Sequence, residues 1–376
     1  MKNLLIKMLQ ILLKVFFIFP IRKNRVFFSA YSGKSYSCNP KYICEYLMST
    51  CGDKLDIIWA FTDPDAFADI DPRIRRVKFK SVTYLYYLLT SRVVVDNVES
   101  WSILPRRRGQ YVINTWHGGG AYKGVGLRRR DTDSALDKNM LNKHKRVDLY
   151  LSSSSAFTEM TLRESFGYCG EVLECGMPRN DILKNAGAAD ARAIRERLGV
   201  GDDDRLVLFA PTFRRDLSFQ YSLDHERVLS ALTERFGGNW KFLFRAHYYL
   251  PKSGGAAESV LDVSDYPDMQ ELLLVSDVLI TDYSSSIWDF SLTGKAGFLF
   301  MPDLDDYGSE RDFYTPVDTW PYKHAVDMDS LETIIHEYDE NENRERIRSH
   351  HELLGNCESG CASKLTGDRI AELCGK

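Results

Sequence analysis

Between residues 3 and 19 the polar positions are Asn3, Lys7, Gln10 and Lys14, spaced by four, three and four. Every other residue there is Leu, Ile, Met, Val or Phe. That spacing is the helical period and predicts an amphipathic helix with one narrow polar stripe. At ~1.5 Å per residue such a helix rises about 25 Å, short of the ~30 Å hydrocarbon core of a bilayer. Pro20 ends it, and Arg22, Lys23 and Arg25 follow at once. The pattern fits a helix lying in a membrane interface, its cations near anionic headgroups. A signal peptide is one alternative, but Lys7 and Lys14 interrupt the apolar region and no small-x-small cleavage site follows. A buried N-terminal core helix is the other. The expectation is a peripheral attachment through residues 1–20 at the cytoplasmic face of the cell membrane.

Beyond Arg25 short apolar runs alternate with amphipathic segments. Strands are expected at 26–29, 55–61, 75–79, 92–96, 111–115, 149–152 and 171–175, with helices at 40–51 and 156–166 among those between them. A polar stretch around 184–188 interrupts the pattern. It then resumes with strands at 205–210, 241–245, 278–281 and 297–301 and helices at 225–235, 269–275 and 285–292. Such alternation implies α/β architecture, with parallel sheets covered on both faces. Two such units, 21–185 and 186–376, would meet at a cleft lined by the carboxyl ends of their strands.

Composition narrows the function. The 376 residues are 44% hydrophobic and 27% charged, the profile of a globular protein. Lys and Arg total 49 against 53 Asp and Glu, a net charge of −4, which argues against a nucleic-acid binder. No charge-free apolar stretch reaches the ~20 residues of a membrane span. The eight cysteines include no C-x-x-C pair, so reduced thiols are expected and no zinc site is indicated. Charge is unevenly placed. No acidic residue precedes Glu45, and the triplets Arg106-Arg107-Arg108 and Arg128-Arg129-Arg130 lie in a second basic stretch. One face is therefore expected to meet something anionic.

Three segments carry candidate chemistry. In Thr115-Trp116-His117-Gly118-Gly119-Gly120-Ala121-Tyr122-Lys123 a strand runs into a histidine and three glycines. Glycines let the backbone approach a ligand, Lys123 adds positive charge, and His117 can take a proton near neutral pH. A glycine-rich turn with a packing histidine is the alternative, and a glycine-rich loop alone is weak evidence of a site. Arg245 and His247 close a second strand and, two apart, would face one side. Histidines 144, 225, 324, 336, 350 and 351 read as surface residues. Asp282-Tyr283-Ser284-Ser285-Ser286 turns a strand into a helix, offering an anion site or ordinary capping. Thr212, Arg214 and Arg215 follow another strand, and Arg311 stands among acids and aromatics. The triplet Asp303-Leu304-Asp305 looks like a metal-binding D-x-D, but in an acid-rich loop chance explains it.

In their order, these motifs resemble the CDP-glycerol glycerophosphotransferases, the teichoic-acid-type polymerases and primases. The resemblance rests on Trp116-His117-Gly118, Gly176-Met177-Pro178-Arg179-Asn180-Asp181, Pro211-Thr212-Phe213-Arg214, Arg245-Ala246-His247-Tyr248, the segment from Asp277 to Phe290, Arg311-Asp312-Phe313-Tyr314 and Gly360-Cys361-Ala362-Ser363. Gly119-Gly120 departs from the Thr-Pro of many members. The resemblance implies two Rossmann-like domains of GT-B type and transfer of glycerol phosphate from CDP-glycerol to a hydroxyl of a lipid-linked glycan or teichoic-acid acceptor, releasing CMP. It implies His117 as general base and His247 as the group that binds the pyrophosphate and stabilises the leaving CMP. Thr212, Arg214, Arg245, Ser284, Ser285, Ser286, Asp289 and Arg311 would hold the donor, and Gly118, Gly119 and Lys123 the acceptor. No cofactor or protein-bound metal is implied. CDP-ribitol or a nucleotide sugar is the alternative donor, and a non-catalytic, membrane-docked anionic-glycan-binding protein the alternative class.

Overall fold

The computed structural model describes residues 2–99, 101–102, 104–128, 141–212, 223–245, 260–310 and 312–376. Among them the strands are β1 (Arg22–Ser29), β2 (Asp56–Phe61), β3 (Arg75–Lys78), β4 (Ser91–Asp96), β5 (Tyr111–Asn114), β6 (Leu149–Ser152), β7 (Glu171–Glu174), β8 (Asp204–Phe209), β9 (Asn239–Phe244), β10 (Val260–Asp262), β11 (Val278–Thr281), β12 (Ala296–Phe300) and β13 (His324–Ala325). They form two parallel sheets, ordered β3-β2-β1-β4-β5-β6-β7 and β10-β9-β8-β11-β12-β13. The chain is thus an α/β protein with two parallel-sheet units. Every strand expected from the sequence is present. The edge strands β10 and β13, three and two residues long, were not expected, because so short a run shows no periodicity.

The strands read as apolar runs because both faces are covered. In β2, Ile57, Ile58, Trp59, Ala60 and Phe61 are all buried, alternating between two core clusters on opposite sides of the first sheet. The second sheet is covered in the same way. Strand order reverses between β1 and β4 in one sheet and between β8 and β11 in the other, the positions where open α/β sheets leave a crevice. Register aligns the carboxyl ends there, Ser29 opposite Asp96 and Asp96 opposite Asn114.

Two findings modify the expected organisation. The final helix, Ala362–Leu373, does not stay with the second sheet. Its Ala362 and Ile370, with Cys374 beyond it, join the core of the first, and Tyr46 donates to Asp368 at 2.7 Å. The segment assigned to 186–376 therefore returns to the first unit. At the other end, the helix Lys2–Leu13 tightens into a narrower turn over Lys14–Ile18. Leu13 is buried, and Phe16 and Phe17 pack on the core, whereas Leu12 and Ile18 are 70% and 75% exposed. No helix among the described residues is long and apolar enough to cross a membrane.

Some of the expected basic face is internal wiring. Arg107 donates to the carbonyls of Phe19 and Leu89 at 2.8 and 3.1 Å and lies over the Phe17 ring, fixing the N-terminal turn to the body. Arg106 pairs with Asp148. Arg129 and Arg130 lie outside the described residues. All eight cysteines are free thiols.

Candidate active site

His117 follows β5 directly, at the mouth of the crevice. Its Nδ1 lies 2.9 Å from the carbonyl oxygen of Asn97, which follows β4. A carbonyl can only accept, so Nδ1 carries the proton and Nε2 keeps a lone pair. Burial, reinforced by the charges of Arg179 and Lys123, pushes the ring pKa down to about 4 even against the Asn97 hydrogen bond. The imidazole is therefore neutral and oriented at physiological pH.

Tyr31, which the sequence did not single out, completes this corner. Its N–H donates to Asn97 Oδ1 at 2.8 Å, and its ring meets His117 edge-on, centroids 5.7 Å apart. Tyr31, Ser32, Cys38 and Trp116 all hold a left-handed backbone, with φ of 47°, 60°, 61° and 51°. For bulky residues that is strained, and strain of this kind gathers at functional sites.

The glycines after His117 serve close packing. A Cβ on Gly119 would stand 2.4 Å from Trp288 Cδ1, and one on Gly120, whose φ is 63°, would meet the same indole at 3.1 Å. Gly119 is buried under Trp288 and so cannot touch an acceptor, contrary to expectation. Gly118 is half-buried and faces the serine turn. A Cβ there would lie 3.6 Å from Ser285 Oγ, so the His117 loop of one unit and the serine turn of the other are neighbours. Lys123 is half-buried and pairs its backbone with Phe313.

On the facing unit, Thr212 donates through its N–H and hydroxyl to Asp282, at 2.9 and 2.6 Å. This joins the loop after β8 to the serine turn after β11. The Ser286 N–H donates to Ser284 Oγ at 3.3 Å, while Ser286 Oγ is buried without a hydrogen-bond partner. The helix Ser286–Ser291 is only six residues long, so the polarity of the turn rests on its hydroxyls more than on a helix dipole. Arg245 donates to the Tyr266 carbonyl at 2.8 Å, and burial lowers its pKa from the ordinary guanidinium value. His247, Arg214 and Arg311 lie outside the described residues.

Asp289 corrects the expectation that it meets a donor hydroxyl. Its Oδ1 accepts from Arg179 Nη2 and Asn180 Nδ2, each at 2.9 Å, and its Oδ2 from Arg179 Nε and Gln270 Nε2, each at 3.0 Å. With all four approaches filled and the side chain 5% exposed, it is the pin between the two units. Beside it Glu358 accepts from Trp288 Nε1, Asn180 Nδ2 and the Met177 N–H, each at 2.9 Å. Burial outweighs these donors and pushes its pKa up to about 7.

Two histidines read as surface residues are interior. His350, 1% exposed, faces the Tyr122 hydroxyl at 2.9 Å and accordingly props the glycine loop. His144 stacks on Phe166 at 4.1 Å. Among the described residues no group of His, Cys, Asp and Glu gathers as a metal ion would require.

Two parallel α/β units, with the His117–Gly118 loop of one beside a hydroxyl-rich turn of the other, have the architecture of the GT-B-type transferases. The chain matches the family described as CDP-glycerol:poly(glycerophosphate) glycerophosphotransferase over residues 11–372 and belongs to it. It is 30% identical, over 83% of its length, to 83% of the teichoic acid poly(glycerol phosphate) polymerase of Bacillus spizizenii. It is also 30% identical, over 82% of its length, to the teichoic acid ribitol-phosphate polymerase TarL of Staphylococcus aureus, of which it spans 56%. Among solved structures, a variant of the wall teichoic acid polymerase TagF soaked with CDPG superposes with a TM-score of 0.85 at 26% identity, covering 100% of this chain and 95% of that one. The chain is an enzyme of this glycerophosphotransferase type.

Proposed function

We propose that the enzyme moves glycerol phosphate from CDP-glycerol to a hydroxyl of a lipid-linked teichoic-acid or cell-surface glycan acceptor. The observation that carries this reading is the neutral His117, its Nδ1 held by the Asn97 carbonyl so that Nε2 keeps its lone pair, in the loop whose next residue, Gly118, lies beside Ser285. The acceptor oxygen bonds to the glycerol-bearing phosphorus as the bond from that phosphorus to the bridging oxygen breaks. The hydroxyl proton passes to His117 Nε2, and CMP leaves with the electron pair. Such a transfer needs in-line placement and charge neutralisation more than covalent help. Ser284, Ser285 and Arg245 supply hydroxyls and a cation on the donor side, with Gly118 and Lys123 on the acceptor side. His247, matched by its motif, would stabilise the departing CMP, with Arg214 and Arg311 as further donor-side cations.

The N-terminal segment supports attachment to the cytoplasmic face of the membrane, where a lipid-linked acceptor would be presented. Met8, Ile11, Leu12, Val15 and Ile18 form an exposed apolar surface, and Lys14, Arg22 and Lys23 are exposed beside it.

Release of CMP from CDP-glycerol or CDP-ribitol, and of a uridine nucleotide from UDP-glucose, with a lipid-linked acceptor and with His117→Ala alongside, tests the reaction. Release from CDP-glycerol that is lost in the variant is the expected result. Release from CDP-ribitol alone would favour the second reading, which the equal identity to a ribitol-phosphate polymerase motivates. Release from neither would overturn both.

A further inference from the structure

Arg179 belongs to the short turn Pro178–Asn180 and is 2% exposed. Its backbone and its side chain tie down different parts of the crevice. The Arg179 N–H donates to Asn39 Oδ1 at 3.1 Å, and Asn39 Nδ2 donates to the carbonyls of Thr115 and Trp116 at 3.1 and 3.2 Å, immediately before His117. The guanidinium grips Asp289, on the helix whose first residue is Ser286. A continuous line of bonds therefore runs from the base loop, through Asn39 and Arg179, to the helix under the serine turn.

The arrangement is costly if stability is its only purpose. Arg179 Nη1 is buried with no hydrogen-bond partner, as is Ser286 Oγ. An unpaired buried donor on a charged group is destabilising, and an apolar pair of similar volume would hold two units together as well. What the ion pair adds is a fixed geometry: a planar bidentate fork allows little sliding.

We propose that Arg179 is a positioning residue for the transfer, fixing the separation between the general base on one unit and the phosphate-facing turn on the other. The inference rests on the reading of the reaction given above. A misplacement of about 1 Å between reacting groups can lower a rate on the order of 100-fold while leaving donor binding intact.

The test uses the full chain with Arg179→Lys, Arg179→Gln and Asn39→Ala. The last spares the ion pair and so guards against a variant that does not fold. Steady-state CMP release gives kcat and KM separately, melting curves report folding, and NMR titration of the His117 ring reads its surroundings without any donor. Besides Arg179, the groups facing that ring are Lys123, Tyr31, the Trp116 indole and the Asn97 carbonyl. In folded Arg179→Lys and Asn39→Ala, kcat should fall on the order of 100-fold with KM for CDP-glycerol within about threefold. The ring should titrate higher in Arg179→Gln and stay near the wild-type value in Arg179→Lys. Folded variants with kcat within about twofold of wild type, a loss confined to KM, or a His117 titration unmoved in Arg179→Gln would each overturn the proposal. If wild type releases CMP from no donor, the reaction reading fails, and the ring titration still decides where Arg179 acts.

Discussion

The Asn97 carbonyl oxygen lies 2.9 Å from His117 Nδ1, and this contact decides which nitrogen of the ring can act as a base. It leaves Nε2 unprotonated while burial holds the ring pKa near 4. Protonation at Nε2 removes the lone pair, so activity is lost only as pH falls through that value. We expect kcat/KM to stay level from neutral pH down to about 5, with no inflection near the ordinary histidine value. His117→Gln should lower kcat by roughly 10²–10⁴ at every pH. A pH–rate profile of both proteins checks this.

Neighbouring glycines should respond oppositely to the same change. Gly119→Ala places a methyl 2.4 Å from Trp288 Cδ1, whereas Gly118→Ala makes contacts no closer than 3.4 Å. Gly119→Ala should therefore lose about 1–3 kcal/mol of stability through overpacking. Gly118→Ala should melt like wild type and reveal, through KM for the acceptor, whether the acceptor passes there. Denaturation curves and acceptor kinetics separate the two.

Glu358 predicts a pH dependence of stability. Its folded pKa, about 7, lies above the unfolded carboxyl value, so the folded state holds the proton longer. Its contribution is complete below the unfolded pKa and declines as pH rises through about 7. The buried histidines act in the opposite sense, since burial lowers their pKa to about 4. The difference between wild type and Glu358→Gln isolates the carboxyl. Between about pH 5 and 8 the wild type should lose stability relative to the variant, read as the gap between their melting temperatures.

The N-terminal surface gives a fourth expectation. Leu12 and Ile18 touch little of the body, at 70% and 75% exposure, so Leu12→Asp with Ile18→Asp should leave the melting temperature unchanged. Co-sedimentation with vesicles containing anionic lipid should fall sharply. The wild-type interaction should weaken with added salt, as the cations at Lys14, Arg22 and Lys23 are screened.

What the sequence revealed and what it hid follow from the range of each interaction. Strands such as Asp56–Phe61 were legible because burial on both faces writes an unbroken apolar run into the local sequence. His117 was legible because it sits at a strand end followed by glycines. Asp289 was misread because its partner Arg179 lies 110 residues earlier and nothing local marks the pair. His350 was taken for a surface residue because its helix, Glu340–Leu354, is rich in charge, and only the Tyr122 hydroxyl from another part of the chain explains it. Tyr31 left no local signal at all, since its importance lies in a left-handed backbone and a hydrogen bond to Asn97.

The return of the final helix to the first unit means that the second is joined to its partner by two covalent crossings, one after Asn180 and one before Ala362. A body tethered at two points can rock about the line joining them but cannot swivel freely. Any relative movement of the two units must therefore be taken up at both crossings at once. Cleaving the chain between residues 355 and 361 would remove one of the two crossings without cutting a strand of either sheet, leaving the Arg179–Asp289 pair to hold the units together.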